Sequence, residues 1–400
     1  MTTAHTDPHG NSAATTTSTV SLKRWLAVVA LAVGTFSVVT VEQLPVGLLT
    51  SVGGSLGVSE GLAGLMVTIP GLVAAATAPI LPVLIGRLDR RLVLLALITL
   101  MVVATLGSAF APNFAVLLVT RFLVGIGIGG FWALAAGLAV RLVPEAHIPR
   151  AVAITFGGAT AANVLGVPAG TLIGNVAGWR VAFLSVAALG LLVITALVFL
   201  VPPIPAGEPV RLRALPAQFR NPAVRTSVLA TFLLVSGHFA AFTFVGPVLE
   251  DVSGLDKGMV GPLLLGFGIA GIAGNFLAGT AAARNLRGTI VAISAVLAGV
   301  LALFPLLGTT PVSGAGMLLL WGLAFGGVPV SVQTWILRSS AAEDTEAATA
   351  LNTSMFNLAI ALGALLGGIV VDAISPTGIL LSGAVLTALT SLAMWRTRRG

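Results

Sequence analysis

Two charged residues, Glu42 and Arg121, lie inside long apolar stretches of the sequence and could take part in chemistry there. Each is about 6 or 7 residues from the end of its predicted membrane span, which places both roughly 9–10 Å below the same surface. A charge at that depth is costly unless it faces protein or water. We interpret Glu42 as a proton carrier and Arg121 as its counter-charge. The alternative is a buried ion pair, or an arginine bound to helix carbonyls, that only fixes the packing.

Seven further side chains could line a cavity for a small-molecule substrate: Trp132, Asn163, His238, Phe242, Gln333, Trp335 and Asn357. The aromatic ones, with Phe131, Phe239 and Trp321, could stack on a planar substrate such as a purine. Aromatic residues in membrane helices more often serve packing or interface anchoring, and the amides could equally join helices through hydrogen bonds. A lone histidine can titrate, but it is more often a hydrogen-bonded packing residue. We expect Asp372, at the end of a predicted span, to be solvated or to cap a helix.

These residues must be positioned by membrane helices, because the composition lies outside the soluble range. The 400 residues are 57% hydrophobic and 8% charged, with a mean hydropathy of +1.07. Apolar windows of about 20 residues predict twelve spans. They lie near residues 25–49, 59–82, 92–111, 115–139, 151–175 and 179–201, and near 223–249, 259–283, 288–308, 313–338, 346–372 and 377–395. The predicted fold is an all-α integral membrane protein of twelve transmembrane helices in two pseudo-symmetric six-helix bundles.

The basic residues predict the orientation of the chain in the membrane. All of the 20 Lys and Arg residues except Arg121, Arg180 and Lys257 fall on the side of the termini. The positive-inside rule then predicts a multi-pass protein of the cell membrane with both termini cytoplasmic. The predicted parts are a disordered cytoplasmic tail at 1–22, a first bundle at 23–201, a cytoplasmic linker at 202–222, a second bundle at 223–395 and a tail at 396–400.

Several classes of function are disfavoured by what the sequence lacks. There are no cysteines, and the four histidines have no ligand spacing, so we predict neither a metal site nor a cofactor. The net charge of +7 is explained by topology and lipid contact rather than by nucleic acid. No phosphate-binding loop is present, and Ser236 and His238 are too close in sequence for an ordinary catalytic dyad. We predict no enzyme and no catalytic residue; a channel or a non-transporting receptor stays open as an alternative.

The two halves of the sequence also echo each other in their glycines. Gly166, Gly170 and Gly174 are spaced by four in span five, and Gly363 and Gly367 repeat that spacing in span eleven. Rows of small residues let helices approach closely in lipid. The recurrence in corresponding spans favours a duplicated six-helix unit, which is typical of secondary transporters.

With twelve spans in two halves, the chain resembles the major facilitator superfamily, and its motifs are similar to those of the drug:proton antiporter branch. Residues 86–91 read Gly-Arg-Leu-Asp-Arg-Arg and resemble a shortened form of the cytoplasmic signature of that superfamily. Arg121 matches the arginine of the motif in span four. Residues 166–174 resemble the antiporter motif of exporters, with Val167 in place of its second residue. The resemblance implies a gating loop of Gly86, Arg87, Asp89, Arg90 and Arg91, and an antiporter motif of Gly166, Pro168, Gly170 and Gly174.

Further stretches, among them residues 41–50 and 129–133, resemble the bacterial purine ribonucleoside efflux pumps, while sugar-efflux and chloramphenicol-export relatives share parts of the pattern. This resemblance implies proton-coupled export of a small organic molecule, with purine ribonucleosides and their analogues as the first hypothesis. A multidrug, chloramphenicol or sugar exporter is the alternative. The expected partners are the substrate, protons and membrane lipid, with the protein acting as a monomer. We expect residues 86–91 to latch against neighbouring helices, and Gly166, Pro168 and Gly170 to set a close contact between the halves.

Overall fold

The computed structural model describes residues 21–205, 218–340 and 345–396. Most of both predicted tails and most of the linker lie outside these residues, so the predicted domain boundaries stay a prediction. Eleven of the described helices are long and apolar enough to cross a membrane. One of them, Lys257–Leu307, has 51 residues and is interrupted at Asn285, whose φ of −149° and ψ of 82° are not helical. Its two parts are each long enough to cross a bilayer, so the prediction of twelve spans is confirmed.

The first half contains spans one to six. Their helices are Leu22–Leu56, Glu60–Ala63 with Leu65–Leu84, Arg90–Ala109, Phe114–Leu142, Ile148–Ala161 with Val167–Ala177, and Trp179–Leu200. The second half contains spans seven to twelve, whose helices are Pro222–Phe242, residues 257–284 and 286–307 of the long helix, Pro311–Gly326 with Val328–Ser339, Thr345–Ala373 and Pro376–Arg396. Short turns of 3₁₀-, α- and π-helix occupy Glu145–His147, Val245–Pro247 and Val248–Val252. We call the face where span one begins and span twelve ends the terminal face, and the opposite face the distal face.

Prolines explain where the spans are irregular. Span five widens into a turn of π-helix at Ala162–Gly166 just before Pro168, and span ten breaks at Gly327 just before Pro329. Proline lacks a backbone N–H and clashes with the preceding turn, which favours a break at these points. Pro45 of span one and Pro70, Pro79 and Pro82 of span two nevertheless lie inside continuous helices. Span seven, predicted near residues 223–249, has a regular helix that ends at Phe242, and short turns of α- and π-helix around Pro247 continue to Val252.

Helix pairing is the same in the two halves. In the first half, span one packs against span five, span two against span four, and span three against span six. In the second half, span seven packs against span eleven, span eight against span ten, and span nine against span twelve. Adding six to each span number converts one set of pairs into the other, as two copies of one six-helix unit require.

Apart from smaller contacts, such as that of span one with Val245–Pro247, the halves meet through two pairs of spans, two with eleven and five with eight. Both contacts use small residues. A Cβ added to Gly71 in span two would lie 3.0 Å from the Cβ of Ala361, and one added to Gly268 in span eight would lie 2.8 Å from the Cα of Val164. Backbones therefore approach closely across the boundary, as lipid-embedded helices with small residues do.

The glycine row of span five does not face this boundary, which corrects the expectation from the sequence. Added Cβ atoms on Gly166, Gly170 and Gly174 would collide with Thr40, Leu44 and Leu48 of span one, in the same half. Residues spaced by four share one helix face, and here that face is turned toward span one. Contact with span eight comes from the neighbouring face, where the carbonyl oxygen of Pro168 is 3.4 Å from an added Cβ on Gly261.

Candidate functional site

Arg121 is fully buried in span four and is held by three neighbouring spans. Its Nη1 donates a hydrogen bond to the carbonyl oxygen of Val41 in span one at 3.2 Å, and its Nη2 donates to Ser108 Oγ in span three at 3.2 Å. The guanidinium carbon lies 5.1 Å from the centre of the Phe183 ring in span six, which is a cation–π distance. Nε has no partner. The arginine is therefore fixed at the centre of the first half.

Glu42 is buried in span one, next in sequence to the residue that Arg121 binds, and is not paired with Arg121. The side chain is 8% exposed, and it follows Val41, whose carbonyl Arg121 binds. Among the described residues, the ion pair that the structure shows is Lys257–Glu250, and none includes Glu42. The expected equal depth of Glu42 and Arg121 in the membrane stays a prediction. Of the two structural alternatives for these residues, a direct ion pair does not form in this conformation, whereas Arg121 does bind a helix carbonyl, that of Val41.

The second half holds an aromatic cluster around His238 instead of charges. The imidazole stacks on Phe325 with ring centres 3.3 Å apart and on Phe242 with centres 4.7 Å apart. Phe267 is also nearly parallel to it at 6.2 Å, while Phe239 and Trp321 meet it edge to face. With Phe304, which packs on Trp321, the cluster consists of Phe239, Phe242, Phe267, Phe304, Trp321 and Phe325. His238 is 1% exposed and Trp321 is fully buried. The imidazole of His238, a planar five-membered ring, is therefore stacked between the rings of Phe242 and Phe325.

The hydrogen bonds of His238 leave one donor without a partner. Trp321 Nε1 donates to His238 Nδ1 at 3.0 Å. An indole N–H can only donate, so Nδ1 must accept, and the neutral imidazole then carries its hydrogen on Nε2. That Nε2 is buried and has no hydrogen-bond partner. Leaving a buried donor unsatisfied costs about 1–3 kcal/mol, so an acceptor that reached Nε2 would be bound favourably.

Only His238 and Phe242 of the predicted cavity residues meet in this cluster. Trp132 packs in the first half, with ring centres 6.2 Å from Phe131 and 5.8 Å from Phe156. The remaining four lie elsewhere: Asn163 and Asn357 donate to their own helices, at Ala159 O and Thr353 O, and Gln333 and Trp335 are half-buried toward the terminal face. Sequence reasoning missed Phe267, Phe304 and Phe325. Phe325 follows Trp321 by four residues, as Phe242 follows His238, and this spacing signals a shared helix face.

The predicted gating loop binds within the first half. Asp89 accepts from the N–H groups of Arg91 at 2.8 Å and Ile204 at 3.1 Å. Arg90 Nη2 donates to Gly86 O at 3.1 Å, and Arg91 Nη2 donates to Val198 O in span six. Gly86 has a φ of +44°, a left-handed conformation that glycine adopts without strain. The loop is thus folded back on its own half, and its role as a latch stays a prediction.

Charges at the distal face come mainly from the second half. Lys257 Nζ lies 3.9 Å from Glu250 Oε2. Burial raises the pKa of Glu250 above its ordinary value. The positive charge of Lys257 lowers this pKa, and the negative charge of Asp251 raises it. Within the described residues, no cluster of three or more His, Asp and Glu side chains could hold a metal ion.

The comparison with protein families decides what kind of protein has this fold and these buried groups. The sequence model of the Major Facilitator Superfamily matches residues 31–363. The chain belongs to the Major Facilitator Superfamily. It is therefore a multi-pass membrane transporter, which agrees with the resemblance of its motifs and with its twelve spans in two halves.

Similar members of this superfamily include named efflux pumps. The purine ribonucleoside efflux pump NepI of Escherichia coli O6:K15:H31 (strain 536 / UPEC) is 34% identical over 374 residues, which covers 93% of this chain and 94% of that protein. NepI of Shigella flexneri is 33% identical with the same coverage. A bacterial homologue of the human lysosomal transporter Spinster, in an inward-facing and occupied conformation, has a TM-score of 0.73. It covers 94% of this chain and 97% of its own, at 16% identity, and therefore supports the fold alone.

Proposed function

We propose that this transporter exports purine ribonucleosides and their analogues across the cytoplasmic membrane in exchange for protons. The observation that carries the proposal is 34% identity, over nearly the whole of both chains, to a purine ribonucleoside efflux pump. Two features of the interior supply matching chemistry, namely a buried carboxyl group in the first half and an aromatic cluster in the second. The protein acts as a monomer in this proposal, since one chain contains both halves.

Glu42 is the proposed proton-exchanging group. Its carboxyl group is buried, and the arginine at its level is bound to Val41 O and Ser108 Oγ rather than to the carboxylate. A proton can therefore bind to and leave Glu42 without the breaking of an ion pair. Arg121 keeps a positive charge nearby, so a helix movement that changes their separation changes how readily Glu42 gives up its proton. Coupling to transport follows if substrate binding drives that movement.

The aromatic cluster is the proposed site for the purine base. Aromatic side chains stack on a nucleobase with about 1–3 kcal/mol per base. Purine rings also carry acceptors, such as N7 of adenine and guanine, that could accept from His238 Nε2. In this conformation Phe325 and the imidazole are in contact, so a base enters only if the half-buried rings of Phe267 and Phe325 move aside.

Orientation completes the proposal. With the basic residues on the cytoplasmic side, the terminal face is cytoplasmic and the distal face is external. The loop of Gly86, Arg87, Asp89, Arg90 and Arg91 then lies at the cytoplasmic entrance, and membrane lipid surrounds the spans. Substrate enters from the terminal face and leaves from the distal face, while protons travel in the opposite direction.

Chloramphenicol or a sugar is the second candidate as substrate. A sugar presents many hydroxyl groups, which need several hydrogen-bond partners. The aromatic cluster of the second half offers six apolar rings and the unpaired donor His238 Nε2, so it suits a planar aromatic ring better than a sugar. Chloramphenicol also has an aromatic ring, so a transport measurement is needed to distinguish it from a nucleoside as the substrate.

The experiment is transport in proteoliposomes with an imposed pH gradient as the only energy source. We expect saturable accumulation of radiolabelled adenosine in the compartment that releases protons, and its loss when a protonophore collapses the gradient. Glucose and chloramphenicol are measured in parallel, and liposomes without protein are the control. Accumulation of adenosine that ignores the pH gradient would refute proton exchange, and accumulation of glucose or chloramphenicol alone would refute the purine assignment.

A further inference from the structure

Asp372 joins the two halves of the transporter at the distal face. It lies near the end of span eleven, and its carboxylate reaches the start of span two. Oδ2 accepts from Ser59 Oγ at 2.6 Å, and Oδ1 accepts from the backbone N–H of Gly61 at 2.9 Å. Ser59 Oγ in turn accepts from the N–H of Leu62 at 3.2 Å. The first N–H groups of a helix have no partner inside that helix, so a side chain of one half caps a helix of the other.

Backbone contact surrounds these hydrogen bonds. A Cβ on Gly61 would collide with the carbonyl oxygen of Gly368, and a Cβ on Gly368 would lie 2.8 Å from the carbonyl oxygen of Gly61. Two residues farther along span two from Leu62, a Cβ on Gly64 would lie 2.6 Å from Phe244 Cζ, in the second half. Spans two and eleven therefore touch here through their backbones. Any separation of the halves at this face breaks the Asp372 hydrogen bonds.

A further polar contact crosses between the halves at this face, where Asn175 Nδ2 donates to Lys257 O at 3.0 Å. At the terminal face the pattern is different. The side chains of Asp89, Arg90 and Arg91 form hydrogen bonds with groups of the first half and with Ile204, just after span six. In the part of spans two and eleven nearer the terminal face, Ser354 Oγ donates to Ala75 O at 2.6 Å. Polar contacts between the halves are therefore more numerous at the distal face in this conformation, and Asp372 makes two of them.

We propose that Asp372 is a gating residue whose hydrogen bonds to Ser59 and Gly61 hold the distal face closed. These bonds break each time the transport cycle opens that face, and they form again when it closes. Charged neighbours on the same face are Glu60, Glu250, Asp251 and Lys257, but the hydrogen bonds of Asp372 go to neutral groups. The proposal concerns the cycle of opening and holds whatever the substrate is.

The test uses the absence of cysteine from the chain. Thr50 lies about two turns inside the distal end of span one, and its Oγ1 is 3.6 Å from an added Cβ on Gly246 in the second half. A Thr50→Cys reporter in lipid nanodiscs is labelled with a hydrophilic maleimide, and the rate reports opening of the distal face. Asp372→Ala should raise that rate roughly fivefold, and Ser59→Ala, which removes one of the two bonds, by less. The matched control is Asp256→Ala, which removes an exposed carboxylate at the same face with no capping hydrogen bond.

A second pair of variants tests the contact without changing charge. Gly61→Ala places a methyl group against Gly368 and should also speed labelling of Thr50→Cys, whereas Gly54→Ala, with open space at its Cβ, should not. A Gln333→Cys reporter near the terminal face should be labelled more slowly in Asp372→Ala, because opening one face closes the other. An unchanged Thr50→Cys rate in Asp372→Ala would overturn the proposal. Faster labelling at both reporters would also overturn it, since that indicates a loosened fold rather than a gate.

Discussion

The two halves of this transporter share a scaffold and differ in what fills it. In the first half, the fully buried Arg121 of span four donates to Val41 O of span one. In the second, the fully buried Trp321 of span ten donates to His238 of span seven. Spans four and ten correspond, and so do spans one and seven. The same pair of helices thus carries a charged donor beside a carboxyl group in one half, and an indole beside an imidazole in the other.

The comparison indicates that the duplicated fold sets the position from which a donor on span four or ten reaches span one or seven. The chemical type of that donor differs between the halves. Helix pairing is retained because it depends on small residues that allow close packing. The interior groups are tied to function, and function belongs to individual sites rather than to the fold. We infer a division of labour in which the first half exchanges protons and the second binds the substrate. The predictions below test this division of roles between the two halves.

The largest expected effect is the loss of coupling in Glu42→Gln. Glutamine keeps the shape and hydrogen bonding of the side chain but cannot release a proton. We expect pH-gradient-driven accumulation of substrate in proteoliposomes to fall to background, with substrate binding retained. Glu42→Asp should keep part of the activity. The matched control is Glu145→Gln, which changes an exposed carboxylate at the terminal face.

Accumulation of substrate by Glu42→Gln under a proton gradient alone would place the coupling site elsewhere. His238 and Asp372 would then be the next candidates. If His238 were the site, the division of labour between the halves would be lost, because one residue of the second half would bind substrate and exchange protons.

The next effect tests the scaffold that both halves share. Gly158→Leu forces a large side chain against the backbone of Ala32 in span one, and Gly363→Leu forces one against the backbone of Ser236 in span seven. Overpacking costs about 1–3 kcal/mol or more. We expect both variants to lower the thermal unfolding temperature and the yield of purified protein by similar amounts. Gly157→Leu, in span five with open space at its Cβ, is the control. A large loss in only one variant would show that the halves do not share their packing.

A smaller effect is expected when His238 loses its free donor. His238→Phe keeps a ring between Phe242 and Phe325 but removes Nε2 and the acceptor for Trp321. We expect the KM for a purine ribonucleoside to rise about tenfold, the change that roughly 1.4 kcal/mol produces, while the ratio of protons to substrate stays the same. Trp179→Phe removes the indole that donates to Ser55 in the first half and serves as the control. A changed proton ratio in His238→Phe would contradict the division between the halves.

The fold could be predicted from the sequence because membrane-spanning helices follow a few simple compositional rules. Stretches of about 20 apolar residues, small residues in rows and clustered arginines predicted twelve spans in two related halves. Helix ends were less accurate where proline intervened, as at Pro247 in span seven. That Glu42 lies inside a long helix could be predicted, because it interrupts a long apolar stretch.

Neighbours across helices could not be predicted in the same way. Span five presents several faces, and sequence alone did not decide that Gly166 and Gly170 face span one rather than span eight. The ring of Phe267 joins His238 from another helix, and no local pattern connects them. Asp372 was expected to be solvated or to cap a helix, but its partner is 311 residues away in the chain. Such contacts depend on helix rotation, which a single sequence constrains weakly.

The smallest effect is expected at the loop that begins at Gly86, and it tests whether the first half also controls opening. Asp89→Asn keeps an oxygen that can accept from Arg91 and Ile204, so the fold should be retained. It removes the negative charge at the start of span three, where helix N–H groups favour an anion. We expect turnover in proteoliposomes to slow about threefold, as for the loss of roughly 0.7 kcal/mol of stabilisation, with substrate affinity unchanged. Asp256→Asn at the distal face is the control. Because the loop binds only its own half here, its charge should matter when the terminal face closes, and unchanged turnover would remove residues 86–91 from the gating mechanism.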